Sequence, residues 1–144
     1  MLRKLDSQQV AEKWDVIAPL IEQSVPGVEK ITHRVLNNIL TMVLNNTLEC
    51  FTFYKNKEDK NPIAYFMLAF KIDPFTNMTA AYIQSLTSFK VFSRGAWRQL
   101  LAEITEYAKN RGATNMFAQI NSDKMEGIGT LLKAKKCTVL AWEI

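Results

Sequence analysis

The stretch Arg94–Asn121, RGAWRQLLAEITEYAKNRGATNMFAQIN, decides the fold. Trp97, Leu100, Leu101, Ile104 and Tyr107 recur at helical spacing, with Glu103, Glu106, Lys109 and Asn110 on other faces, which predicts a long amphipathic helix opening at Arg94 or Gly95. Gly112 stands where a helix carboxyl cap belongs, because glycine enters the left-handed conformation without strain. The period then changes, and Asn115–Ile120 reads as a compact strand.

Upstream, the pattern is that of an antiparallel meander. Leu48–Tyr54 is aromatic and β-branched, and Lys55–Asn61 is a polar turn closed by Pro62. Ile63–Asp73 is the next strand, Pro74–Asn77 a second turn, and Thr79–Ser88 a third strand. A meander followed by strand-helix-strand predicts a mixed sheet with a parallel pair at its centre and helices on both faces.

Leu2–Leu5 is a short extended segment, and Asp6 or Ser7 caps a helix carrying Ala11, Trp14, Ala18 and Ile21 until Pro26-Gly27. Pro19 is expected to kink or split it. A second helix is expected over Val28–Leu44, with Ile31, Val35, Leu36, Ile39 and Val43 as its apolar positions and Asn45-Asn46 as its exit. Downstream, Ser122 or Asp123 caps a weaker helix through Lys133, and Cys137–Ile144 closes the chain as a strand. The class is α+β, with the order strand, two helices, three antiparallel strands, helix, strand, helix, strand.

At 144 residues there is room for one core, so residues 1–144 are expected to form one domain. Hydrophobic residues at 48% and charged residues at 22% exclude disordered and collagen-like classes. The longest apolar run, Ile63–Phe70, is far short of the roughly 20 residues of a membrane span, and Asp6 interrupts the amino terminus before any secretory signal develops. A cytoplasmic setting without a membrane partner is expected, where the sequon Asn45-Asn46-Thr47 carries no weight. Cys50, Cys137 and the single histidine, His33, give no spacing for a metal site, and both thiols are expected reduced and buried. The net charge of +4 favours anionic partners, but no arginine stripe or interleaved aromatics indicates nucleic acid. Lys124, Lys133, Lys135 and Lys136 are either a solvated face or an attraction for phosphate.

The order of elements, the helix LLAEITEYAKNRG and the strand NMFAQIN ending at Asn121 resemble the GNAT superfamily of acyl-CoA-dependent N-acetyltransferases over essentially the whole chain. The resemblance implies acetyl-CoA as acyl donor, no metal, a small-molecule or protein amine as acceptor, and a fold that allows a homodimer. In that family a loop of the form Q/R-x-x-G-x-G/A precedes the long helix and surrounds the pyrophosphate with backbone amides. Here the loop is Phe92-Ser93-Arg94-Gly95-Ala96-Trp97, in which only the middle glycine matches.

Arg94 and Arg98 are expected to supply charge that this loop lacks; the alternative is that Trp97 is the first core residue of the helix and both arginines are solvated. Alignment places Ser93, Arg94, Gly95, Ala96, Trp97 and Arg98 beside the phosphates, Thr87 and Phe89 beside the pantetheine arm, and Asn121 at the later strand end. The tyrosine that often serves as general acid is replaced most nearly by Leu132, and the Gly-Phe that ends its motif by Lys136-Cys137. For the base the residues offer Tyr82, Glu49 or a chain of waters, with His33 facing neither motif. Two functions follow: acetyl transfer to a primary amine by direct attack, or a catalytically degenerate binding or structural module of the compact kind that viruses encode.

Overall fold

The computed structural model describes residues 1–24, 33–89, 91–118, 130 and 133–135. The chain opens with strand β1 (Leu2–Leu5), and Asp6 then starts helix α1 (Ser7–Glu12). The Asp6 carboxylate accepts from the Gln9 amide at 2.8 Å while Gln9 Oε1 accepts from the Asp6 amide at 3.0 Å, a reciprocal cap that satisfies two orphan donors. Helix α2 (Trp14–Ser24) follows without a loop.

The split between these helices falls at Lys13, and Pro19 lies inside α2, so the expected break at the proline is corrected. The Lys13 amide still donates to Gln9 while its carbonyl accepts from both Val16 and Ile17, so one residue closes α1 and opens α2. This resets the helical phase. Val10, Ile17 and Ile21 take the buried positions, Trp14 is partly buried, and Ala11 is exposed.

Helix α3 (His33–Leu44) ends where expected, and Asn46 adopts φ 54° at its exit. Strands β2 (Leu48–Phe53), β3 (Ala64–Ile72) and β4 (Thr79–Ser88) form the meander, Asn77 turning the second hairpin at φ 56°. Helix α4 (Arg94–Asn110) crosses back to strand β5 (Ala113–Ala118), and Gly112 sits at φ 83° behind its last turn. Of the expected last helix only Thr130 and Lys133 are described; the rest of it and the strand Cys137–Ile144 lie outside the described residues.

The sheet order is β1-β2-β3-β4-β5, antiparallel from β1 to β4, with β5 parallel to β4. Alternation along the strands builds two apolar layers. Leu48, Cys50, Tyr65, Met67 and Ala69 face Val10, Ile17, Ile21 and Val43 of α1–α3. Phe51, Phe53, Phe66, Leu68 and Ala81 face Leu100, Ile104 and Ala108 of α4. Because both faces are covered, every residue of β2 is buried, including Glu49.

Candidate active-site cleft

The two ladders of β4 end at different places. Met67 pairs with Ser85 but Leu68 pairs with Ile83, so Gln84 is an extra residue, a β-bulge in β4. Beyond it the ladder to β3 continues to Ala64↔Ser88, whereas among the described residues the ladder to β5 stops at Ile83↔Ala118. The described part of β5 thus ends at Ala118, opposite the residue that precedes the bulge.

Which backbone groups face away from β3 follows from the register. The Phe89 amide donates to the Ile63 carbonyl at 2.9 Å, and antiparallel ladders alternate the direction of N–H and C=O from one residue to the next. Residues 85, 87 and 89 thus spend their backbone groups on β3, and Leu86 and Ser88 turn theirs to the side away from β3. Thr87 and Phe89, expected to hold a pantetheine arm, therefore direct their backbone groups toward β3. The Thr87 hydroxyl donates to the Leu20 carbonyl of α2 at 3.4 Å, and the Phe89 ring stands edge-on to Tyr65 at 5.3 Å.

At the rim of the candidate cleft, Ser93 caps α4: its Oγ accepts from the Ala96 amide at 3.1 Å, and its carbonyl accepts from the Trp97 amide at 3.1 Å. The Arg94 and Gly95 amides, at the positive end of the helix dipole, have no acceptor among the described residues. A Cβ built on Gly95 meets only Ser93 Oγ, at 3.9 Å, so open space lies beside this backbone.

Trp97 does not project from this rim. Its indole packs on the Phe92 ring at 4.7 Å, which leans on Phe53 at 6.1 Å, and the stack continues into the layer under α4. Arg94 and Arg98 are exposed, and neither has an ion-pair partner among the described residues. Trp97 is thus partly buried against the core layer, and Arg94 and Arg98 are exposed. Asn121 lies outside the described residues.

Tyr82 lies next to the last described β4–β5 pair. Its ring stacks on Phe117 at 5.0 Å and 19°, with Lys71 Nζ 5.2 Å from its centre on the sheet face of α1–α3. Glu49, the other candidate base, lies two strands across the sheet, in register with Leu68 and Ile83. Its carboxylate, 1% exposed, accepts from Lys4 Nζ at 2.7 Å and pairs with Arg111 Nη2 at 3.3 Å. Arg111 follows the carboxyl end of the 17-residue α4, about 25 Å along the axis from Arg94 at 1.5 Å per residue. Burial first, and then the neighbouring Glu49 carboxylate, push the Tyr107 hydroxyl up to about 12. His33 is the exposed first residue of α3. The bulge at Gln84 was not legible in the sequence, because nothing in AAYIQSLTS marks one.

A five-stranded mixed sheet, antiparallel from β1 to β4 and closed by a parallel β5 after a crossover helix, is a fold shared with solved acetyltransferases. By sequence, no family model and no curated protein matches the chain. The likeness appears in solved structures. An aminoglycoside acetyltransferase from an uncultured soil metagenomic sample, in complex with sisomicin, superposes with a TM-score of 0.70 at 14% identity over 100% of this chain and 95% of that one. AAC(6')-Iy with a CoA bisubstrate analogue gives 0.69 at 15% over 100% and 96%. The ribosomal-protein-alanine N-acetyltransferase of Brucella melitensis biovar Abortus 2308 gives 0.64 at 12% over 100% and 98%.

Proposed function

We propose that this protein, taken as one domain, is an acyl-CoA-dependent N-acyltransferase that moves an acetyl group from acetyl-CoA to a primary amine. The observation that carries the reading is the head of α4, where the Arg94 and Gly95 amides have no acceptor among the described residues; Leu86 and Ser88, whose backbone groups face away from β3, would continue the same site along β4. Charge-free peptide groups so placed suit an extended polar arm ending in phosphates, and the open space at Gly95 admits them closely. The neighbour solved with a CoA bisubstrate analogue supports the same donor class.

When bound, acyl-CoA supplies a thioester whose carbonyl carbon accepts a nucleophile. The chain's own groups do the rest. The Arg94 and Gly95 amides bind phosphate oxygens, and Arg94 and Arg98 add positive charge. Leu86 and Ser88 orient the arm by pairing with its amides, as a further strand would. Phe92 and Trp97 back the rim with apolar surface that excludes water from behind it. The attacking amine gives up its proton to water.

Titration calorimetry and thermal unfolding with acetyl-CoA test the reading. A ligand at 100 times its dissociation constant adds about 2.7 kcal/mol, so the melting temperature rises as donor is added. No heat and no shift at millimolar acetyl-CoA would leave a GNAT-fold binding or structural module as the function.

A further inference from the structure

The β3–β4 hairpin ends in an apolar tip. Phe75 is 96% exposed, Ile72 66% and Met78 50%, although the turn that carries them is tightly built. Asp73 Oδ1 accepts from the Phe75 amide at 2.8 Å and from the Thr76 amide at 3.1 Å, and the Asp73 carbonyl accepts from the Asn77 amide at 2.8 Å. The Met78 amide donates to Thr76 Oγ1 at 3.3 Å, the Asp73 amide donates to the Met78 carbonyl at 2.9 Å, and Pro74 has no N–H. Every backbone donor from Asp73 to Met78 is satisfied inside the turn, so the tip can leave water without stranding one.

Strand alternation puts Ile72 on the α4 side with Phe70 and Met78 on the other, so apolar side chains surround the tip and form no single flat face. Cations stand just behind it. On the α1–α3 side Lys71 is exposed, its Nζ 5.2 Å from the Tyr82 ring. On the α4 side the Arg111 guanidinium, 5.2 Å from the Phe70 ring, brings the carboxyl end of α4 and its exposed Lys109 to the base of the hairpin, with Glu106 a turn farther away. Asp73 is the only acid between Ala64 and Ser88, and its Oδ1 is turned in on the two amides.

We infer that this tip seats the protein on an anionic lipid bilayer: Phe75, Ile72 and Met78 enter the boundary between headgroups and acyl chains, and Lys71 and Lys109 meet the lipid anions. A soft bilayer receives a projection that is apolar on both sides, whereas a folded partner would need a hollow shaped to it. A second copy would bring two sets of cations together. Among the described residues no helix is long and apolar enough to cross a membrane, so the contact is peripheral. It stands independently of the acyltransferase reading, because the tip shares no residue with the head of α4.

Flotation of the full chain with vesicles tests it, using phosphatidylcholine alone and phosphatidylcholine with phosphatidylserine in equal parts. Wild type should float with the mixed vesicles and far less with the neutral ones, and added salt should weaken the binding. Phe75→Ala should lower affinity for the mixed vesicles about tenfold and Phe75→Asp should abolish it, whereas Phe75→Trp should retain it. Lys71→Gln should lower that affinity about fivefold without changing the neutral-vesicle value. Because Phe75 and Lys71 are exposed, these variants should melt with wild type. A wild type that floats with neither vesicle or equally with both, or a Phe75→Ala variant that floats as well as wild type, overturns the inference. So does a wild type that ignores vesicles and sediments as a dimer that Phe75→Ala dissolves, which would make a second copy the occupant.

Discussion

Replacing Gly95 by alanine should strengthen the free protein and weaken its complex, two effects of opposite sign from one methyl group. Gly95 is in the first turn of α4, and an added Cβ meets nothing nearer than Ser93 Oγ at 3.9 Å, an ordinary contact. With no clash to offset it, the lower chain entropy of alanine contributes up to about 1 kcal/mol, or about 2–4 °C in melting temperature. Glycine is thus not required by this fold at this position. In the complex the same methyl occupies the space beside the Arg94 and Gly95 amides. Losing one hydrogen bond to a charged phosphate costs about 1.5–3 kcal/mol, which is about 10- to 100-fold in Kd. Scanning calorimetry of the free protein and titration with acetyl-CoA read the two effects separately, and Gly95→Glu, which adds a negative charge, should abolish binding while the fold persists. An alanine variant that melts lower than wild type, or that binds acetyl-CoA equally well, would refute the reasoning.

Two further outcomes concern the body of the fold. Glu49→Ala removes the acceptor shared by Lys4 and Arg111 and leaves a cavity, so it should cost about 2–4 kcal/mol in denaturant unfolding while acetyl-CoA affinity stays at the wild-type value; a large loss of affinity with little loss of stability would return Glu49 to the site. Burial, reinforced by Glu49, pushes the Cys50 thiol up to about 12, and Tyr107 is also held near 12. Both groups keep their protons longer folded than unfolded, so stability should fall as pH rises from about 9 toward 12. Native Cys50 should resist iodoacetamide at pH 8 and react on unfolding; rapid native alkylation would contradict its burial.

What the sequence revealed depended on whether the signal was local. The periodicity of Trp97–Tyr107 and the glycine at 112 mark α4 within a residue, since helix phase and cap chemistry are properties of neighbouring residues. The division at Lys13 was not legible, because it is set by where Val10 and Ile17 meet the sheet, and Pro19 is tolerated inside α2. Glu49 in LECFTF looks like an isolated acid, and only the fold brings Lys4 and Arg111 to it from either end of the chain. The direction of the Thr87 and Phe89 backbone groups was hidden for a related reason. The direction of backbone groups on β4 is read from the ladder to β3, and that ladder carries an extra residue at Gln84 without any glycine or proline to announce it.

The central claim is that backbone amides of β4 and of the head of α4 hold the donor. Amide chemical shifts of isotopically labelled protein titrated with acetyl-CoA test it most directly. Leu86, Ser88, Arg94 and Gly95 should move together with a single saturable dependence while Glu49 and Cys50 stay in place. Saturation with those four amides unmoved, or no saturable change at millimolar donor, would contradict it.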